Sequence, residues 1–283
     1  MRAAQREILK AFHASLRKAG FPASAARGWR PPVLHAVCAG IAGVGRKSTH
    51  DPLLAWMRGH IPARRHLLTT DAAIALAAAV QDAPGIIVNA GTGSFAYARD
   101  AQGKLLRAGG WGIPFDDRGS GYDLGRKAVA AALEAFDGRA PRTLLMDRIC
   151  RRLELSDITE IISREIDQQQ IAALFPLVIE AARDGDLVAR YLCDVAGRDL
   201  ANLALALLKR AGWTRRPTPV VTTGGVFRSS ELIRRAFMRH LRLFAPRARV
   251  ESLERPPVEG ALWLARNLGT RKSSIKESPG GWA

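Results

Sequence analysis

The sequence predicts an α/β protein. Short apolar strands and amphipathic helices alternate along its 283 residues, which is the pattern of a sheet covered by helices. Glycine-rich stretches directly follow several of the strands, where backbone amides without a neighbouring Cβ can approach an anionic ligand. Hydrophobic residues make up 47% of the chain, as in an ordinary globular protein with a buried core.

Residues 1–84 are predicted to form a first unit. Apolar residues at helical spacing predict an N-terminal helix that Gly20 terminates. Asp71 follows a strand and is expected to cap an alanine-rich helix. The predicted elements are a helix over 4–19, a strand over 33–38, a small-residue loop over 39–45, a strand over 66–69 and a helix over 71–80.

A second unit is predicted over 85–257, because Pro84 and Gly85 break the chain before a new β-hairpin pattern. A last helix over 258–269 and a polar, disordered tail over 270–283 are expected to follow. Strands are predicted over 86–90, 95–99, 104–107 and 220–223, and helices over 122–136, 142–154, 157–166, 169–183, 186–211 and 230–241.

The formal net charge of +17 favours anionic partners such as nucleotides or phosphosugars. Arginines are spread along the whole chain, and aromatic residues are only 6%, without a basic and aromatic run that resembles a base-stacking surface. We therefore predict no nucleic-acid partner.

The compartment is predicted from apolar runs and cysteines. The longest apolar run, near residues 74–80, is too short to cross a bilayer, and the N-terminus has no signal-peptide pattern. The three cysteines are scattered and the histidines lack metal-ligand spacing. These features predict a cytoplasmic protein without a membrane partner, a disulfide framework or a protein-bound metal site.

Two glycine-rich turns are candidate nucleotide-binding loops. Gly91-Thr92-Gly93-Ser94 follows a strand and adds two hydroxyls that can reach phosphate or a metal-bound water. Gly224-Gly225 lies between a strand and a helix, where bare backbone can pack against a planar or anionic ligand. A tight β-turn and a close strand–helix turn are the structural alternatives.

Two carboxylates are candidate catalytic or binding groups. Asp71 stands at the end of a strand, where a carboxylate can accept a proton from an attacking hydroxyl; helix capping is the alternative. Asp117 lies in a glycine-rich loop and can orient a sugar hydroxyl or a metal-bound water; a surface charge is the alternative.

Together these motifs resemble the family that joins N-acetylglucosamine kinases with the BadF/BadG/BcrA/BcrD-type ATPases. The resemblance covers about residues 5–268, and its most specific block runs from Gly109 to Tyr122. The residues that carry it are Thr69-Thr70-Asp71-Ala72-Ala73, Asn89 to Ser94, Ala108 to Gly112, Asp117, Gly119 to Tyr122, Leu124-Gly125, and Thr223 to Val226 with Ser229.

The resemblance implies a two-lobed actin-like ATPase (ribonuclease H-like) fold, in which the helix over 258–269 returns to the N-terminal lobe. It implies ATP and Mg²⁺, a small-molecule sugar, and phosphorylation of N-acetylglucosamine at the 6-hydroxyl; it leaves homodimer formation open. The implied roles are catalytic base for Asp71, nucleotide contacts for Thr92, Gly93, Gly225 and Ser229, and sugar contacts for Asp71, Ser94, Gly110, Trp111 and Asp117.

The chain departs from the family pattern at three places. The family opens with an Asp-Gly-Gly-Gly-Thr-type phosphate loop, whereas the first glycine here is Gly20, so an incomplete N-terminal lobe is expected. Arg118 replaces the Glu of the usual Gly-Asp-Glu-Gly-Ser, and Phe95 replaces a polar residue. An ATPase that activates a dehydratase or reductase, which needs cluster cysteines, and a non-catalytic sugar-binding regulator are the alternative functions.

Overall fold

The computed structural model describes residues 2–21 and 30–268, and the chain divides into two compact units. The first combines the residues up to Pro84 with Arg99–Leu105 and the segment from Glu254, and the second comprises Gly85–Ala98 and Leu106–Leu253. The lobe boundaries over 1–84, 85–257 and 258–269 stay predictions. The tail expected over 270–283 lies outside the described residues.

Both units combine helices and strands, and, as the sequence predicts, a run of helices separates the strand that ends at Gly109 from the one that begins at Pro219. The helices are α1 Arg2–Lys18, α2 Lys47–His60, α3 Asp71–Val80, α4 Gly121–Phe136, α5 Leu145–Leu153, α6 Gln168–Ala172, α7 Phe175–Arg183, α8 Leu187–Arg210, α9 Gly225–Ser229, α10 Glu231–Phe244 and α11 Pro257–Asn267, with a 3₁₀ helix at Ile158–Ser163. The strands are β1 Val37–Gly40, β2 His66–Thr69, β3 Gly85–Ala90, β4 Ser94–Arg99, β5 Leu105–Gly109, β6 Pro219–Thr223 and β7 Arg249–Ser252.

The first unit is built on a small parallel sheet. Strands β1 and β2 pair with Val37 opposite His66 and Gly40 opposite Thr69. Helix α11 packs against α3, and its Leu264 shares an apolar cluster with Leu67 of β2. A separate apolar cluster joins α1 and α2. Its buried members are Ile8, Phe12, Leu16, Val44, Leu53, Leu54, Met57, Ile61 and Leu68.

The second unit is built on a sheet with the strand order β5-β4-β3-β6-β7. The central strands β3 and β6 run parallel, with Asn89 opposite Thr223, so both end at the same edge of the sheet. Apolar residues of β3, such as Ile86 and Val88, are fully buried beneath the long helix α8 and helix α4. This packing places the glycine-rich turns after β3 and β6 side by side.

Several predicted elements differ from the observed ones, and the helix expected over 157–166 is the 3₁₀ helix Ile158–Ser163. The strand expected over 33–38 is β1, Val37–Gly40, and of the earlier residues Leu34 forms only an isolated bridge with Ala63. The helix expected over 169–183 is interrupted between α6 and α7, and Pro176, which lacks an amide hydrogen, stands in the first turn of α7.

Candidate active site

The loop Gly91-Thr92-Gly93 joins β3 to β4, which are neighbours in the sheet, as the hairpin prediction requires. The Gly91 amide donates to the Gly93 carbonyl at 2.9 Å, so the loop is tightly closed. The Thr92 side chain is exposed. Within residues 2–21 and 30–268, neither its hydroxyl nor the amides of Thr92 and Gly93 have a hydrogen-bond partner, so these donors are available to an anion.

The same loop is fixed to the first turn of α4. The Gly121 amide donates to the Gly91 carbonyl at 2.7 Å, and the Tyr122 amide donates to the Thr92 carbonyl at 3.2 Å. The third amide of that turn, of Asp123, donates to the Ser120 hydroxyl, which caps the helix. The loop carbonyls therefore satisfy helix amides, and the loop amides point elsewhere.

A cleft of about 310 Å³ lies beside this loop and is the best candidate for a nucleoside site. Phe175 contributes an aromatic ring that reaches both turns. Its ring lies 3.1 Å from where a Cβ of Gly121 would stand and 3.9 Å from the corresponding point at Gly225. The residues that line the cleft are Gly91, Thr92, Gly121, Gln169, Ala172, Ala173 and Phe175.

The two glycines after β6 have different reasons to be glycine. Gly224 has φ +104, and a Cβ there would lie 2.2 Å from the Ala90 carbonyl oxygen. The close strand–helix turn is therefore sufficient to explain why this residue is glycine. Gly225 has open space around it apart from Phe175. Ser229, at the end of α9, is exposed, and its carbonyl accepts a hydrogen bond from Arg183 at 3.0 Å. Gly225 therefore remains a candidate ligand contact.

Asp117 is buried, so the alternative of a surface charge is wrong. It has φ +66 and its carboxylate accepts a hydrogen bond from the Ser94 amide at 3.2 Å. The carboxylate also lies against Gly93, 3.1 Å from where a Cβ would stand. Burial raises the pKa of Asp117, while the Ser94 amide and the Arg107 guanidinium lower it and Asp116 raises it. A carboxylate thus lies directly behind the loop that exposes the Thr92 donors.

Ser94 is placed beside Asp117, but its hydroxyl is already used. The side chain is 1% exposed and donates to the Arg118 carbonyl at 2.7 Å. The residue thereby holds both ends of the Asp117–Arg118 turn, through its amide and its hydroxyl. A direct sugar contact by Ser94 stays a prediction, and the contacts in the structure are those of a loop support.

Gly110 and Trp111 lie in the loop after β5. Gly110 has φ +72, and the Trp111 side chain is 73% exposed, so its ring is accessible to a ligand. Arg107 lies over that ring, with its guanidinium carbon 4.6 Å from the ring centroid. The Trp111 amide donates to the Asp116 carboxylate at 3.2 Å, which connects this loop to the Asp117 turn.

Asp71 stands at the carboxyl end of β2, in the first unit, and is exposed. The prediction that it caps α3 is wrong: the N-cap is Thr70, whose hydroxyl accepts a hydrogen bond from the Ala73 amide at 3.1 Å. Thr70 is the N-cap because its backbone is extended, whereas Asp71 is already helical. The Asp71 carboxylate has no hydrogen-bond or ion-pair partner among the described residues, so it is available as a proton acceptor.

The second unit brings together most of the predicted site residues. Thr92, Gly93, Ser94 and Asp117 form one contiguous group, and Gly225 lies across Phe175 from Gly121. Sequence reasoning missed Arg107 and Phe175. Neither stands in a glycine-rich motif, and the sequence signal for Arg107 is a cation two residues before Gly109-Gly110-Trp111.

Other classes of site find little support in the described part of the chain. No helix there is long and apolar enough to span a membrane, and no group of three or more metal-binding side chains is close enough to hold an ion. The three cysteines are unpaired thiols. Burial raises the pKa of Cys38 to about 12 and that of Cys193 to about 11, which keeps both protonated at neutral pH.

Comparisons with known proteins identify relatives of this chain. Residues 1–262 match the BadF/BadG/BcrA/BcrD ATPase family. An N-acetylmuramic acid/N-acetylglucosamine kinase of Clostridium acetobutylicum is 33% identical over 236 residues, which are 82% of this chain and 77% of that protein. An N-acetyl-D-glucosamine kinase of Dictyostelium discoideum is 27% identical over 239 residues, 82% of this chain and 75% of that protein.

A solved structure shares the fold. The crystal structure of a candidate N-acetylglucosamine kinase from Chromobacterium violaceum superimposes with a TM-score of 0.73 at 28% identity, covering 92% of this chain and 84% of that one. The actin-like fold class expected from the sequence motifs is therefore confirmed.

Proposed function

Because this chain belongs to the BadF/BadG/BcrA/BcrD ATPase family, we propose that it is an ATP-dependent kinase that phosphorylates an amino sugar of the N-acetylglucosamine type at the 6-hydroxyl. The observation that supports this most is the position of Asp117. Its buried carboxylate lies behind Gly93, while the free donors of Thr92 lie on the same three-residue loop. A phosphate-binding loop and a hydroxyl-binding carboxylate are thus adjacent, as phosphoryl transfer to a sugar requires.

The nucleotide is expected to bind the Thr92 loop and the adjoining cleft. The amides of Thr92 and Gly93 and the Thr92 hydroxyl can donate to an anion without first breaking a hydrogen bond to a described residue. The aromatic ring of Phe175 and the open backbone of Gly225 offer flat apolar surface for adenosine. The exposed end of α9 at Ser229 then borders the same nucleoside.

The site fits a hydrated Mg²⁺ that arrives with the nucleotide. Mg²⁺ in kinases keeps several waters and takes most other ligands from phosphate oxygens, so it needs no protein cage. The exposed Thr92 hydroxyl is the group that would hold one of its water ligands. When bound, the ion neutralises phosphate charge.

The sugar is expected to bind through Asp117 and the loop after β5. An ionised carboxylate accepts hydrogen bonds from two vicinal hydroxyls, and the exposed Trp111 ring can pack against the apolar face of a pyranose. Asp71 is proposed as the base that takes the proton of the attacking hydroxyl, because its carboxylate is exposed and has no partner within the described residues.

The defining experiment measures ADP release by the full-length protein with and without N-acetylglucosamine. We expect release only when the sugar is present, and phosphorus NMR of the product should place the phosphate on the 6-oxygen. Sugar-independent ATP hydrolysis would indicate an ATPase activator instead, and sugar binding without ATP consumption would indicate a non-catalytic regulator.

Gly225→Ala should fold normally, since a methyl group there meets only Phe175 at 3.9 Å, and weaken nucleotide binding.

Arg118 is expected to broaden the substrate range toward acidic amino sugars. Its guanidinium is exposed and has no ion-pair partner among the described residues, although its backbone is fixed by Ser94. Replacing this cation by Glu, the usual residue of the family, reverses a rim charge worth about 1 kcal/mol, or roughly fivefold in binding.

We therefore expect Arg118→Glu to lower kcat/KM for N-acetylmuramic acid about fivefold and that for neutral N-acetylglucosamine less than about twofold. Arg118→Gln should fall between the parent and Arg118→Glu, and the effect should shrink at high salt. Equal losses on both sugars would show that Arg118 does not distinguish them by charge.

A further inference from the structure

Arg107 stands in the middle of β5, and its side chain reaches the loop that follows this strand. Its Nε donates to the Gly109 carbonyl at 2.8 Å, and its terminal nitrogen donates to the Gly110 carbonyl. Both glycines are left-handed, with φ +71 and φ +72, so their carbonyls turn toward the guanidinium. The face of the same guanidinium covers the Trp111 ring at 4.6 Å. One side chain thus contacts three successive residues of the exposed loop.

We propose that Arg107 is a positioning residue for the sugar, which fixes the Gly109–Trp111 loop and the orientation of the Trp111 ring. The inference rests on the proposed function, because it assumes that the sugar packs on this loop. Arg107 does not have to touch the sugar. It acts through the two carbonyls it holds and through the ring it covers.

The chemistry of the contacts requires an arginine. A guanidinium offers several N–H donors in one plane, and the perpendicular direction remains free for an aromatic face. Lysine carries the same charge but has no planar fork, so it cannot hold both carbonyls and cover Trp111 together. Gln has neither the charge nor the reach. The two substitutions therefore separate the geometric role of Arg107 from its charge.

The charge of Arg107 also reaches Asp117. Burial raises the pKa of Asp117, Asp116 raises it further, and the Ser94 amide and Arg107 lower it. Removal of the cation leaves the two raising influences opposed only by the amide, so the pKa of Asp117 rises. Sugar binding that needs the ionised carboxylate is then lost at a higher pH than in the parent.

The test compares Arg107→Lys and Arg107→Gln with Arg242→Gln, which removes an exposed cation of α10 far along the chain from the loop. We expect both Arg107 variants to raise the KM for N-acetylglucosamine at least tenfold, with the KM for ATP and the melting temperature near those of the parent. The acid limb of the kcat/KM profile should move to higher pH in Arg107→Gln but stay close to the parent in Arg107→Lys. Arg242→Gln should match the parent throughout.

A second readout does not depend on catalysis. The NMR signal of the Trp111 indole N–H is assigned by its loss in Trp111→Phe. N-acetylglucosamine is then added in steps while this signal is followed. We expect the signal to respond to sugar in the parent and to need at least tenfold more sugar in Arg107→Gln. If the titration behaves this way but no phosphorylation occurs, the proposed function fails and this inference stands. If both Arg107 variants bind sugar like the parent, or Trp111 ignores sugar in the parent, the inference is overturned.

Discussion

Asp71→Asn is expected to lower kcat for sugar phosphorylation by about 10²–10⁴-fold, the usual contribution of a general base. The amide is nearly isosteric with the carboxylate but cannot accept the proton of the attacking hydroxyl. The side chain is exposed and makes no hydrogen bond or ion pair with a described residue, so its replacement breaks no contact in that part of the fold. Affinity for ATP should therefore be unchanged, as measured by titration calorimetry beside steady-state kinetics.

The neighbouring Thr70 supplies the control. Its hydroxyl caps α3, so Thr70→Ala should lower the free energy of unfolding by about 1 kcal/mol. That variant should keep most of its kcat. Asp71→Asn should thus change the rate, and Thr70→Ala should change the stability. If Asp71→Asn turns over sugar like the parent, Asp71 is not the base.

Gly224→Ala is expected to destabilise the second unit by more than about 3 kcal/mol, in the range of severe backbone conflicts. Two causes add. A φ of +104 with ψ 163 is a region that essentially only glycine occupies, and the new methyl would lie 2.2 Å from the Ala90 carbonyl oxygen. Ala90 ends β3 and directly precedes the Gly91–Gly93 loop, so relief of the clash must displace that loop. Urea unfolding followed by circular dichroism measures the loss.

A second glycine with positive φ but no close neighbour provides the comparison. Gly212 is also left-handed, with φ +69, but a Cβ there meets no atom within 4 Å. Gly212→Ala should therefore cost only about 1–2 kcal/mol, the price of the left-handed backbone alone. Equal stability losses at both positions would mean that the contact with Ala90 contributes nothing.

Much of the fold could be predicted because local signals and packing agree. The strand Gly85–Ala90 is a compact apolar run between turn residues and is buried at every position except Asn89, and α8 closely follows its predicted range. Helix α2 was missed because Pro52 lies inside it, where proline normally ends a helix. Its apolar face is recognisable only once Leu53 and Met57 pack against α1. Tertiary contacts decided where local signals conflicted.

In the candidate site, too, some features could be predicted from local sequence signals and others depend on the folded structure. The glycine-rich turns were visible because loops that approach phosphate need small residues at fixed spacing. The cap at Thr70 was assigned to Asp71 instead, since both residue types cap helices and only the backbone geometry distinguishes them. Phe175 meets Gly121 and Gly225 across long sequence distances, and a single phenylalanine carries no local signal of such partners. Arg107 contacts the nearby Gly109–Trp111 loop, but only the folded backbone brings the Gly109 and Gly110 carbonyls to its guanidinium.

The attachment of the Gly91–Gly93 loop to the first turn of α4 has a consequence for the energetics of nucleotide binding. Its carbonyls are already held by the amides of Gly121 and Tyr122 in the ligand-free protein. The loop therefore has little conformational entropy left to lose when phosphate arrives, and more of the contact energy appears as affinity. A rigid cradle also penalises ligands whose oxygens are spaced differently, so the discrimination between a phosphate and a smaller or planar anion is built into the backbone before binding.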